Sequence, residues 1–77
     1  MKLGDIVVVQ SRTPKGATNT NVKGRVGVIK GIETYENETV FDVKDEKGEA
    51  WSYWEEELKY ADVKEISEAL IRMIERR

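Results

Sequence analysis

The chain has 77 residues and a net charge of −2, and it contains neither cysteine nor histidine. A chain of this length forms one domain with a core only just large enough to be stable, which leaves little room for a deep enclosed active site. The lack of these two residue types excludes disulfide bonds, thiolate metal sites, cysteine nucleophiles and histidine-based acid–base catalysis.

The N-terminal part of the chain predicts two strands joined by a long polar loop. A turn signal at Gly4-Asp5 precedes the β-branched run Ile6–Val9, which is typical of a buried strand. Residues 11–21 have no hydrophobic period, so they form a loop that is long for so small a domain. Residues 22–33 predict the second strand, and its three glycines indicate bulges, bends or close backbone approach.

A third strand follows a polar connection. Residues 34–38 lead into a strand at 39–44, in which Phe41 and Val43 face one side while charged residues face the other. The segment Asp45–Gly48 predicts a tight hairpin turn whose glycine takes a positive φ.

The fourth strand is aromatic and ends in an acidic segment. Residues 50–54 alternate, so Trp51 and Tyr53 share a face that we expect to be the core side, with Trp54 more exposed. Glu55–Leu58 predicts a short helical turn, and the next three residues predict a brief closing strand.

The C-terminal segment predicts an amphipathic helix. Asp62 and Glu65 fit a capping box at its start. Apolar residues recur at helical spacing, and one more widens the face: Val63, Ile66, Leu70, Met73 and Ile74, with Ile71. This face is buried on the domain itself, on a second copy in a homodimer, or on another protein.

Together these elements predict a mainly β fold, a small SH3-like barrel of four to five antiparallel strands over residues 1–61. The amphipathic α-helix over residues 62–77 completes a single domain. The segments GDIVVV and KGRVGVIKGI resemble a KOW-type segment of ribosomal proteins and transcription elongation factors. The segment EEEL after an aromatic strand is similar to the ends of SH3-like accessory subunits of electron-transport complexes.

The resemblance covers about residues 3–61 and implies two alternative roles. Similarity to the accessory subunits implies a barrel that docks on a larger enzyme or complex without carrying a cofactor. Similarity to KOW segments implies binding to RNA, DNA or a nucleoprotein machine.

Our first hypothesis is a non-catalytic protein-binding module, a small accessory, adaptor or inhibitor-like protein with an unidentified protein partner. Aromatic side chains beside a long loop of a small barrel can line a groove for a peptide. The expected partner-binding residues combine the polar loop with two aromatic residues: Arg12, Lys15, Asn19, Tyr35 and Trp54.

The alternative hypothesis is nucleic-acid binding, because the charges are unevenly distributed. Residues 1–31 carry six basic residues and one acidic residue, whereas residues 32–62 carry eleven acidic residues and three lysines. Phosphate contacts would come from the basic residues of the loop and second strand. These are Arg12, Lys15, Lys23, Arg25 and Lys30.

No pattern in the chain indicates catalysis, a metal ion or a cofactor. The serines have no histidine to activate them. Asp42, Asp45 and Gly48 do not have the spacing of a calcium loop. The longest apolar run has four residues and no signal-peptide pattern is present, so we expect a cytoplasmic protein without a membrane segment.

Overall fold

A computed structural model describes residues 1–10 and 23–75 of the chain. They form a mainly β fold with one C-terminal helix. In chain order the elements are β1 (Ile6–Val9), β2 (Val26–Tyr35), β3 (Glu38–Asp45), β4 (Ala50–Trp54), a 3-10 turn (Glu55–Glu57), β5 (Leu58–Tyr60) and α1 (Val63–Glu75).

The five strands form one antiparallel sheet in the order β4-β3-β2-β1-β5. β1 lies between β2 and β5, with Val7 opposite Gly27 on one side and Tyr60 on the other. Within the described residues β4 and β5 are the two edges, so the sheet is open and the expected closed barrel is not confirmed.

One face of the sheet carries the main core. Seven buried side chains from all five strands form a single cluster: Val7, Val9, Ile29, Phe41, Val43, Tyr53 and Leu58. The edge strands of a flat five-stranded sheet would lie roughly 19 Å apart. A cluster that includes both Tyr53 of β4 and Leu58 of β5 therefore indicates that the sheet curves around it. Trp51 packs against the same cluster, which confirms the predicted alternation in β4.

β2 begins later than the sequence predicts, because Gly24 adopts a φ of +87° in a turn ahead of it. Strand pairing then begins at Val26. A Cβ atom added at Gly27 would lie 2.5 Å from Val43 Cγ1. β3 can therefore lie this close to β2 only because residue 27 is a glycine. The register of β2 against β3 shifts just before Gly31, which is the kind of bulge that the glycines indicated.

The β3–β4 hairpin (Asp45–Glu49) has the predicted turn. Gly48 adopts a φ of +80°, and its N–H donates to the Asp45 carbonyl oxygen at 2.9 Å. Asp45 Oδ1 also accepts from the N–H groups of Lys47 at 2.9 Å and Glu49 at 3.0 Å. One side chain therefore orders the whole turn.

Candidate functional site

α1 begins at the capping box that the sequence predicts. Asp62 Oδ1 accepts from the Glu65 N–H at 2.7 Å, and Glu65 Oε1 accepts from the Asp62 N–H at 3.0 Å. These two bonds satisfy backbone donors that would have no partner within the helix.

α1 lies against the second face of the sheet through a small apolar contact. Ala69 is buried and clusters with Val8 of β1 and Val26 of β2, and Ala61 packs against them. The contact is small because Ala69 contributes only a methyl group.

Two ion pairs hold the same side of α1 to the sheet. Lys59 Nζ of β5 lies 3.2 Å from Glu65 Oε2. Arg72 Nε and Nη2 each donate to one carboxylate oxygen of Glu46 at 2.7 Å. The Glu46 carboxylate also accepts from the Val26 N–H at 2.9 Å, so one side chain joins the helix, β2 and the β3–β4 hairpin. Hydrogen bonding to Glu46 raises the pKa of Arg72.

This attachment leaves only part of the apolar face of α1 towards the sheet: Ile66 is half-buried, whereas Val63 and Ile74 point outward. At about 100° per residue, Glu65, Ala69 and Arg72 fall within an arc of about 60°. The direction midway between Val63 and Ile74 lies about 160° from the centre of that arc. Five apolar side chains of α1 are consequently between 43% and 80% exposed, and we call them the helix surface: Val63, Leu70, Ile71, Met73 and Ile74.

A groove of about 210 Å³ runs between α1 and the sheet beside the helix surface. Most of the residues that line it are apolar, among them Ile6, Val28, Ile66, Leu70 and Met73, and three charged residues complete the lining: Lys44, Asp45 and Glu46. Such a groove can accept an apolar side chain.

A second polar cluster lies at the β3–β4 hairpin. Arg25 is 8% exposed, and its Nη1 pairs with Asp45 Oδ2 at 2.9 Å and with Glu49 Oε1. These bonds, that to Glu49 first and that to Asp45 second, raise the pKa of Arg25. The hydrogen bond from Arg25, followed by that from the Trp51 indole N–H, lowers the pKa of Glu49.

The structure separates the basic residues of the nucleic-acid hypothesis. A phosphate group would have to displace two carboxylates to reach Arg25. Lys23 and Lys30 are exposed, and the stretch of β2 from Val26 to Lys30, roughly 13 Å long, lies between Lys30 and the turn that carries Lys23. Arg12 and Lys15 lie outside the described residues, so this hypothesis stays a prediction.

Tyr35 and Trp54, from the protein-binding hypothesis, lie on the same face of the sheet. Trp54 pairs with Val40, which pairs with Glu33, two residues before Tyr35. This register places the two aromatic residues on the order of 12 Å apart. The Tyr35 hydroxyl donates to Glu33 Oε2 at 2.9 Å, which raises the pKa of Tyr35.

Trp54 is half-buried beside an open pocket of about 500 Å³. The residues around it are polar or acidic apart from the tryptophan: Asn37, Glu38, Thr39, Trp54, Glu55 and Glu56. Asn19, the remaining residue of the protein-binding hypothesis, lies outside the described residues.

Sequence reasoning missed the pairing of Glu46 with Arg72, which joins α1 to the β3–β4 hairpin. A weak signal was present, since Glu65 and Arg72 are seven positions apart and share one side of the helix with Ala69. That stripe marks a polar side with a small residue at its centre. It does not reveal that the partner of Arg72 lies 26 positions earlier in the chain.

No family model matches the chain, and no curated protein or solved structure matches it. Within residues 1–10 and 23–75, no helix has both the length and the apolar character that crossing a lipid bilayer requires. The same residues contain no group of three or more acidic side chains placed to hold a metal ion.

Proposed function

We propose that this chain is a non-catalytic protein-binding module, a small accessory or adaptor protein that docks on its partner through the helix surface. The observation that carries the proposal is that α1 is attached to the sheet by ion pairs and Ala69 while five of its apolar side chains stay at least 43% exposed.

The free energy of burial supports a docking role. Complete burial of a large aliphatic side chain contributes about 1.5–3 kcal/mol. Five such side chains that remain about half exposed therefore leave several kcal/mol available to an interface. Contiguous exposed apolar surface of this kind marks interaction sites on small domains.

The surroundings of the helix surface fit the usual organisation of an interface. Its centre is apolar, and the groove beside it offers a depression for a partner's side chain. Lys44, Lys64 and Glu68 are exposed near its margin, so the rim carries both signs of charge. An apolar centre with a polar rim is the common pattern of protein interfaces.

We also propose that the curved sheet is a partly open SH3-like barrel. Three features support this: β1 lies between β2 and β5, a 3-10 turn precedes β5, and all five strands contribute to one core. The proposal agrees with the resemblance to accessory subunits that dock on larger complexes.

Photo-crosslinking tests the docking surface directly. A photoreactive phenylalanine analogue would replace Ile71 of the helix surface in one variant and Tyr35 of the sheet in a second, because both residues are 56% exposed. In the cells that produce the chain, we expect position 71 to form covalent adducts with protein. Their yield should be several-fold higher than the yield at position 35. Leu70→Lys in the same chain should remove them. Adducts at position 35 alone would contradict docking through the helix surface and favour the aromatic site.

A further inference from the structure

The outermost stripe of α1 has the spacing of a helix-pairing seam. Val63, Ser67, Leu70 and Ile74 follow one another at intervals of four, three and four residues. This alternation keeps side chains on one line along a helix that packs lengthwise against another helix. All four residues are exposed.

The position of this stripe leaves space for a second helix. Its centre lies about 130° around the helix from Ala69, the buried contact with the sheet, and Leu70 at one edge of the stripe also lines the groove. Two packed helices have axes about 8–10 Å apart. A helix laid along the stripe therefore contacts α1 from outside and passes beside the groove at Leu70.

We propose that the partner of the helix surface is α1 of a second copy of this chain, paired antiparallel about a two-fold axis. This inference rests on the proposed function, since it names the partner of the same docking surface. With the axis between residues 68 and 69, Val63 of one copy faces Ile74 of the other. Ser67 then faces the Leu70 of the second copy, so a small side chain lies opposite a large one.

Charge complementarity selects both the partner and the orientation. Lys64 and Glu75 lie on the same flank of the stripe, within about 20° of each other around the helix. An antiparallel pair brings Lys64 of each copy towards Glu75 of the other, whereas a parallel two-fold pair would place the two charged flanks on opposite sides of the seam, where these residues could not pair. Glu68 is also on this flank but further from the stripe. This flank has one charge of each sign near the stripe. It is therefore more complementary to the same flank of a second copy than to a partner that carries charges of only one sign.

The size of α1 bounds the strength of the pair. Its 13 residues span about 20 Å. An interface built mainly on two such helices belongs to the small class, below roughly 1,200 Å² in total. We therefore expect reversible dimerisation with a dissociation constant in the micromolar range.

Sedimentation equilibrium of the full chain between roughly 10 µM and 1 mM tests the pair. We expect the average mass to rise from 8.8 kDa towards twice that value. Leu70→Lys should weaken association by at least about tenfold, because each dimer then carries two buried lysines. Tyr35→Lys is the matched control, since Tyr35 and Leu70 are almost equally exposed and Tyr35 lies on the sheet away from α1. A wild-type chain that stays monomeric at 1 mM would overturn the inference.

Cysteine crosslinking tests the orientation of the two helices. The chain has no cysteine of its own, so no other disulfide can form. An equimolar mixture of Val63→Cys and Ile74→Cys chains, one of them isotope-labelled, should form the mixed disulfide on mild oxidation. Each variant alone should crosslink several-fold less. Val63→Cys chains that crosslink to themselves as readily would show a parallel pair and overturn the proposed arrangement.

The photo-crosslinking at position 71 separates failure of this inference from failure of the proposed function. Adducts of twice the chain mass support the self-pair. Adducts that contain only a different protein overturn the self-pair and leave the docking surface intact. No adduct of either kind, together with a monomeric chain, overturns both.

Discussion

The two hairpins of the sheet are both rich in acidic residues, yet they lie in opposite environments. In the β3–β4 hairpin, Asp45 and Glu46 are buried and pair with Arg25 and Arg72 from distant parts of the chain. The β2–β3 hairpin (Tyr35–Glu38) stays exposed. The acidic side chains of the β3–β4 hairpin thus organise the fold because the topology brings cations against them, whereas those of the β2–β3 hairpin remain on the surface.

The sharpest test of this comparison is Glu46→Ala. The change removes the acceptor for both the Val26 N–H and the Arg72 guanidinium, and we expect it to lower the free energy of unfolding by about 3–4 kcal/mol. Urea denaturation measures the loss. Glu36→Gln in the β2–β3 hairpin is the control and should change stability by less than about 0.5 kcal/mol. Equal losses in both variants would contradict the difference between the hairpins.

Arg25→Met tests the second ion-pair cluster. Methionine keeps the apolar stem but removes the charge that faces Asp45 and Glu49, and we expect a loss of about 2–3 kcal/mol. The control is Lys23→Met, which changes an exposed lysine in the adjoining turn. If Arg25 served only to bind an external phosphate, its replacement would leave the urea midpoint unchanged.

The exposed β2–β3 hairpin should respond in the opposite direction. Glu36 and Asn37 occupy its turn with φ values of 43° and 75°, which non-glycine residues adopt at a cost. Asn-Gly is the preferred pair for this kind of turn. We therefore expect Glu36→Asn combined with Asn37→Gly to stabilise the fold by about 0.5–1 kcal/mol, measured by thermal unfolding. Destabilisation would mean that contacts to the native turn side chains outweigh the backbone preference.

The smallest expected effect is the contribution of Glu49 to the pH dependence of stability. The Glu49 side chain is half exposed. Its pKa is lowered in the fold, so its contribution is present above the ordinary value of 4.5 and is lost as the pH falls through the folded pKa. Glu49→Gln should lose less stability than the wild type when the pH is lowered from 5 to 3. Urea midpoints at several pH values measure the two slopes. Parallel slopes would show that the Arg25–Glu49 pair does not contribute to stability.

Local patterns predicted the elements well because their causes lie within a few residues. The capping box at Asp62 and Glu65, the turn with a positive φ at Gly48 and the alternation in β4 all have the predicted form. The start of β2 was predicted too early, because a glycine in a turn and a glycine in a strand look alike in the sequence. The barrel was predicted from the order of the elements, whereas the described sheet has two free edges.

The candidate site was less predictable from sequence than the elements were. The sequence by itself determined that the C-terminal segment is an amphipathic helix, since periodicity and capping are local properties. Only the tertiary structure decided which side of that helix faces the sheet. The strands bring Glu46 and Lys59 to positions where they pair with Arg72 and Glu65, and these ion pairs lie on the side of α1 that faces the sheet. Contacts between residues far apart in the chain depend on strand order and register, which no local pattern encodes.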